Sequence, residues 1–248
     1  MKYRGVLLEC DLLSNFDKGL VQVIYTLFDA IVHVDMSYIK FQEPEKKLWV
    51  SHLERVFANE LYHIWSLVLK EQKLFGENKY VLNAEINKNM NYFGSINDGE
   101  KFPDMVLHHS QGDNWNQGII CEVKRKEGLN YKSFREDIDK ISIFLQEGSA
   151  YKFAVGAFIL VGEKIDVLYK HVTNLKKRLI GFTNSIETIE IQKKIICVAY
   201  NDENLMFTNL YSMIQNTKNK PNNLYCVSKD KKSSAIKLEK SDYTILNT

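Results

Sequence analysis

Two short stretches, 102–108 (FPDMVLH) and 118–125 (GIICEVKR), are apolar enough to be sheet strands, yet each carries charge where a buried sheet has apolar side chains. Side chains alternate faces along a strand, so Asp104 lies on the side of Val106 and His108, while Ile120, Glu122 and Lys124 share one face. If the strands pair through the connection 109–117, Asp104 and Glu122 converge with Lys124 adjacent. Two carboxylates in one small patch repel, and one tends to protonate. A divalent cation removes that conflict. Mg²⁺ is hard and octahedral, and it takes one or two carboxylates while waters and substrate phosphate fill its other positions. Such an ion polarises a phosphoryl oxygen and lowers the pKa of a bound water from ~16 towards neutrality. Lys124 is suited to orienting that water or stabilising charge in the transition state.

The surrounding elements must position these groups. Residues 15–33 place Phe16, Leu20, Val23, Ile24, Leu27 and Ile31 on one helical face, and Ser14 with Asp17 three residues later resembles a capping box. A second amphipathic helix begins between Pro44 and Ser51 and runs to about Glu71, with Leu53, Phe57, Leu61, Ile64 and Val68 inward. After Gly76 the period changes to two, giving expected strands at 79–87, 102–108 and 118–125, separated by the turn-rich stretches 88–101 and 109–117. Residues 130–147 return to helix, with Phe134, Ile138, Ile141 and Leu145 on one face, and 152–161 (KFAVGAFILV) reads as a strand covered on both sides. Beyond it a helix is expected over 164–180, a strand over 193–200 and a helix over 203–215. The last thirty residues read as a β-hairpin or a basic tail. The expectation is an α/β sheet flanked by helices. An N-terminal helical segment (1–45) precedes the core (46–215), and a basic appendage (216–248) follows it.

Pro103-Asp104, then Glu122, one spacer and Lys124, each half on an apolar strand, resembles the PD-(D/E)xK nuclease superfamily, and the chain looks similar to uncharacterised bacterial members of it. The resemblance covers roughly residues 50 to 162. It implies a restriction-endonuclease-like core of helix, three strands, helix and strand in a mixed sheet, with an N-terminal helix and a C-terminal extension outside it. It further implies Mg²⁺, with Mn²⁺ as a substitute, and hydrolysis of phosphodiester bonds in nucleic acid, DNA above all. Bacterial defence is the commonest setting of compact relatives, and members that cut both strands often act as homodimers. By motif transfer Asp104 and Glu122 are metal ligands, the Val123 carbonyl a third, and Lys124 the catalytic lysine.

Many members add an acidic residue on the helix before the first strand. With Phe57 at the middle of the inward stripe, Glu60 lies ~60° to one side and Glu54 ~60° to the other, so geometry alone does not choose. Glu60 is preferred because inward Phe57 and Ile64 flank it and its ELYH string resembles one in bacterial relatives. Glu85 shares a face with Val81 and Asn83 and is a second-tier candidate for metal or water contact. Lys132 and Arg135, near the start of the 130–147 helix, are candidates for phosphate contact, helped by the helix N-terminus, and Lys126 extends the basic patch. Arg125 should point away from Lys124. The bland alternatives are an exposed edge-strand pair for Glu122 and Lys124, surface positions for His63, His108 and His109, and ordinary turn packing for Trp115.

Composition narrows the class. The chain has 248 residues, 45% hydrophobic, 26% charged, with 3 Pro and 12 Gly, which excludes disordered and fibrous proteins. Its formal charge of +2 does not announce a polyanionic partner, but seven lysines between Lys218 and Lys240 stand against Asp230 and Glu239. That segment is net +5 and adds electrostatic affinity for nucleic acid if it is presented to it. Cys10, Cys121, Cys197 and Cys226 have no metal-knuckle spacing and read as reduced thiols. No run approaches the ~18 apolar residues of a membrane span and the N-terminus lacks the form of a signal peptide, so a cytoplasmic protein is expected. Phosphate-loop, dinucleotide and serine-hydrolase motifs are absent from the sequence. The competing class is a non-catalytic nucleic-acid-binding or interaction module that retains the fold.

Overall fold

In the computed structural model, residues 10–38, 50–76, 79–84, 103–109, 117–146, 153–178, 186–201, 204–215, 223–229 and 236–240 are described. The chain opens with helix α1 (Lys18–His33), followed by α2 (Val50–Glu71). Strands β1 (Tyr80–Ala84), β2 (Met105–His109) and β3 (Gln117–Arg125) come next. Then follow α3 (Tyr131–Leu145), β4 (Phe153–Val161), α4 (Ile165–Arg178), α5 (Ile186–Lys194) and β5 (Ile195–Tyr200). The chain continues through β6 (Leu205–Asn209), α6 (Leu210–Gln215), β7 (Tyr225–Lys229) and β8 (Ile236–Lys240). Among the described residues, these eight strands form one mixed sheet in sequence order. The pairs β3–β4 and β4–β5 are parallel, and the other neighbours are antiparallel.

Right-handed crossovers decide which helices cover which face. Since β3, β4 and β5 step in one direction across the sheet, the helices that join them fall on the same side. Phe134, Ile138 and Ile141 of α3 and Leu168 and Val172 of α4 accordingly share a core with Ile120, Phe158, Leu160 and Cys197. The opposite face meets α1 and α2, whose Ile24, Phe28, Phe57, Leu61 and Trp65 pack on Cys121, Val123, Ile159 and Val198. A buried hydrogen bond from Trp65 Nε1 to Thr26 Oγ1 (2.9 Å) fixes α2 against α1. Gly156 of β4 has no Cβ because Ile141 occupies that space, so α3 sits close to the sheet.

The helix, three strands, helix, strand order matches the sequence reading, and several details differ. The cap of α1 is Asp17, whose Oδ1 accepts the Leu20 N–H (2.9 Å), while Ser14 Oγ donates to the Asp11 carbonyl in the preceding 3₁₀ turn. Helix α5 was not expected. Residues 205–209, expected as part of a helix, form β6, because pairing with β5 buries Leu205, Phe207 and Thr208 in an apolar sheet. Of the two readings of the C-terminal segment, the hairpin is observed: β7 and β8 extend the sheet. Among the described residues no helix is long and apolar enough to cross a membrane.

Candidate active site

The charged cluster lies at the carboxyl end of β3, the end of a parallel strand where open α/β sheets commonly bind ligands. Strand β2 stops short there, so backbone groups on that edge of β3 would be left unpaired. Two acidic side chains take them up. Asp104 turns back onto β3: its N–H donates to the Cys121 carbonyl (3.1 Å) and its Oδ2 accepts the Val123 N–H (2.7 Å). Two residues on, Glu54 Oε1 from α2 accepts the Arg125 N–H (3.0 Å). The N–H and C=O of one strand residue point to the same edge, so the Val123 carbonyl faces the gap between these two carboxylates. Gly128, in the turn after β3, is placed where a Cβ would run into Glu54 Oε1.

Glu122 and Lys124 project towards α3, on the face of Ile120, as the strand period requires. Glu122 is 1% exposed, and its Oε2 lies 2.8 Å from Lys140 Nζ. Lys124 Nζ lies 3.5 Å from Asp137 Oδ2 and 3.9 Å from Glu54 Oε2, and Lys140 Nζ also reaches Asp137 Oδ1 at 3.4 Å. Helix α3 presents Asp137 and Lys140 because its capping box, with Asn130 and Ser133 exchanging hydrogen bonds, starts the helix immediately after the β3 turn. Glu54, Asp104, Glu122 and Asp137 thus stand against Lys124 and Lys140, an excess of acid in a largely buried place.

The electrostatics follow. Burial pushes the Glu122 carboxyl up to about 8, with the neighbouring Asp104 charge adding to the rise and Lys140 opposing it. Burial also raises Asp104, against the Val123 hydrogen bond and the two ammonium groups, and raises Glu54 against its Arg125 hydrogen bond and Lys124. Lys124 is raised, the charges of Asp137, Glu54, Asp104 and Glu122 together outweighing its desolvation. Glu122 Oε1 is buried and accepts no hydrogen bond. An orphaned hard oxygen on Glu122, in a cluster with an excess of acid that includes Asp104, is of the kind Mg²⁺ accepts. Among the described residues no group of three or more His, Cys, Asp or Glu forms a metal cluster, so a cation here would rest on two carboxylates, a carbonyl and water.

The remaining candidates separate cleanly. Glu54, not the preferred Glu60, is the α2 acid at the site. Glu60 lies six residues on, ~9 Å along the axis and ~120° round the helix from Glu54, too far to share these contacts. Lys132 and Arg135 point outward and pair with Glu136 (4.0 Å) and Asp139 (3.5 Å) one turn ahead, and Lys126 pairs with Glu163 (2.9 Å). His108 bonds Asn83 Nδ2 through Nε2 (2.8 Å), and the His109 ring packs on Tyr80, so both are structural. His63 is exposed. Glu85, Trp115 and Lys218 lie outside the described residues. Asp137 and Lys140 escaped the sequence reading. Asp137 falls three residues after Phe134 and four before Ile141, on the inward face, and a charged residue on that face was the available signal.

No family model, curated protein or solved structure matches this chain.

Proposed function

We propose that the protein is a Mg²⁺-dependent nuclease with a restriction-endonuclease-like core, hydrolysing phosphodiester bonds of DNA, with Mn²⁺ as a substitute. The observation that carries the reading is that Asp104, bonded to the Val123 N–H, and Glu122 belong to one charged cluster at the carboxyl end of β3, where the Asp104 charge acts on Glu122 and both act on the Lys124 ammonium. Asp104, Glu122 and the Val123 carbonyl would hold the ion, which supplies Lewis acidity towards the phosphate and an acidified water. Lys124, anchored by Asp137 and Glu54, holds its ammonium towards the attacking water and the charge that develops on the phosphoryl oxygens. Glu54 assists through water, in the role the sequence reading gave to Glu60. Bacterial defence is the setting this reading favours, and a homodimer would suit cutting of both strands.

The test is cleavage of plasmid by purified protein with Mg²⁺ or Mn²⁺. Wild type should nick or linearise it, and chelator, Glu122→Ala and Lys124→Ala should each abolish the activity. Cleavage that survives these changes removes the mechanism. One observation favours a second reading, a non-catalytic nucleic-acid-binding module: Lys140 already pairs with Glu122 at 2.8 Å, as in a structural ion cluster. That reading expects salt-dependent binding without turnover, and no response of Mn²⁺ affinity to the Glu122 change.

A further inference from the structure

Lys140 holds a position that a simple two-carboxylate metal site does not explain. Its ammonium lies 2.8 Å from Glu122 Oε2 and 3.4 Å from Asp137 Oδ1, and its side chain is 13% exposed. The other Glu122 oxygen is buried and unpartnered. A buried carboxylate beside Asp104 needs a positive neighbour, and among the described residues Lys140 is the one that contacts it directly. An ammonium there and a divalent ion on the same carboxylate would stand within a few ångströms of each other, where like charges in a poorly solvated place repel strongly.

We infer that Lys140 is the built-in cation of this site, that a divalent ion binding at Asp104 and Glu122 must displace its ammonium from Glu122, and that Lys140 thereby sets the metal concentration the protein requires. Asp137 makes the exchange feasible. It contacts Lys140 and Lys124 through its two oxygens, so a displaced Lys140 keeps a counter-ion while Lys124 stays in place. Lys140 is a positioning residue in this account, acting on the metal through Glu122. The inference rests on the reading of Asp104 and Glu122 as metal ligands.

The experiment measures Mn²⁺ binding directly, from the electron paramagnetic resonance signal of the free ion at pH 8, without substrate. Wild type, Lys140→Met, Glu122→Gln and the double variant Lys140→Met/Glu122→Gln are compared. Lys140→Met should bind Mn²⁺ about tenfold more tightly than wild type, and Mn²⁺ should raise its Tm by more. The double variant, which removes both partners, keeps the test usable if Lys140→Met alone folds poorly. It should fold well and bind no more tightly than Glu122→Gln. Unchanged or weaker binding by Lys140→Met, with wild-type binding still lost in Glu122→Gln, overturns the inference and leaves the metal site standing. A double variant that binds about tenfold more tightly than Glu122→Gln also overturns it, because Lys140 would then act independently of Glu122. Mn²⁺ binding that is absent from wild type, or indifferent to Glu122→Gln, overturns both.

Discussion

Strands β3 and β5 are both central and both covered by helices on each face, yet they fill equivalent places with opposite chemistry. The parallel register aligns Glu122 with Phe158 of β4 and Cys197 of β5, and Lys124 with Leu160 and Ala199. All four counterparts are buried and apolar. One row of the sheet therefore runs from carboxylate to phenyl to thiol, and the next from ammonium to isobutyl to methyl, under one helical layer. The fold itself is satisfied by apolar residues in these rows. On β3 the chain carries the desolvation cost of charge at the strand end where ligands commonly reach an α/β sheet, and the proposed function gives that cost a purpose.

The largest effect should come from exchanging the two chemistries. Glu122→Gln keeps shape and removes the charge that burial opposes, so cleavage should fall about a thousandfold while Tm is unchanged or rises. Phe158→Ala, in the same row, should do the reverse. It opens a cavity costing about 3–5 kcal/mol, lowers Tm by roughly 10 °C, and leaves cleavage at permissive temperature within a few-fold of wild type. Plasmid assays and thermal melts on both variants check this. Equal loss of stability in both would make Glu122 a structural residue.

The raised Glu122 carboxyl sets a pH dependence of definite sign. Its native state favours the proton, so the metal-free fold is stabilised by this group at low pH and loses that contribution as pH rises from about 4.5 through about 8. Asp104 and Glu54, also raised, act in the same direction. On the proposed function metal binding demands the Glu122 carboxylate, so cleavage at subsaturating Mg²⁺ should rise up to about tenfold per pH unit and level off near 8. Glu122→Gln should flatten the pH dependence of the metal-free Tm. A wild-type rate profile that is flat between pH 6 and 8 would contradict the assignment.

A smaller effect separates two acids on one helix. Glu54→Gln should lower cleavage about ten- to a hundredfold, since it weakens the hold on Lys124 and on the Arg125 N–H. Glu60→Gln should stay within about twofold. Gly128→Ala, whose Cβ would press on Glu54, should reproduce part of the Glu54 loss without touching any charge. Steady-state rates on the three variants decide it, and a larger defect for Glu60 than for Glu54 would reinstate the preference drawn from the sequence.

That preference shows where sequence reasoning reaches its limit. Apolar periodicity locates α2, α3, β3 and β4, because burial of one face or two leaves a visible repeat. Asp104, Glu122 and Lys124 stand out as violations of that repeat. The choice between Glu54 and Glu60 depends on where α2 crosses the end of β3, and a helical wheel does not contain that information. Lys140 shows the same limit: its importance comes from its contact with Glu122, which exists only once α3 lies on β3. Residues 205–209 show a second limit. Leu205, Met206 and Phe207 suit a helix as well as a strand, and pairing with β5 decides between them.

The smallest effects should come from the basic residues of α3 that point away from the cluster. Lys132 and Arg135 are exposed, the lysine side chain at 84%, and each pairs with an acid one turn along the same helix. Such pairs add little to stability, so Lys132→Ala and Arg135→Ala should shift Tm by no more than about 2 °C. If these side chains meet DNA phosphates at the helix N-terminus, each substitution should weaken binding a few-fold and reduce the salt slope by about one, with the rate at saturating substrate unchanged. Measuring KM and kcat against salt separates this from any role in the cluster. A fall in kcat for either variant would extend the charged region of β3 onto a helix face that lies outside it, and would redraw the contrast with β5 as one between two sides of the molecule.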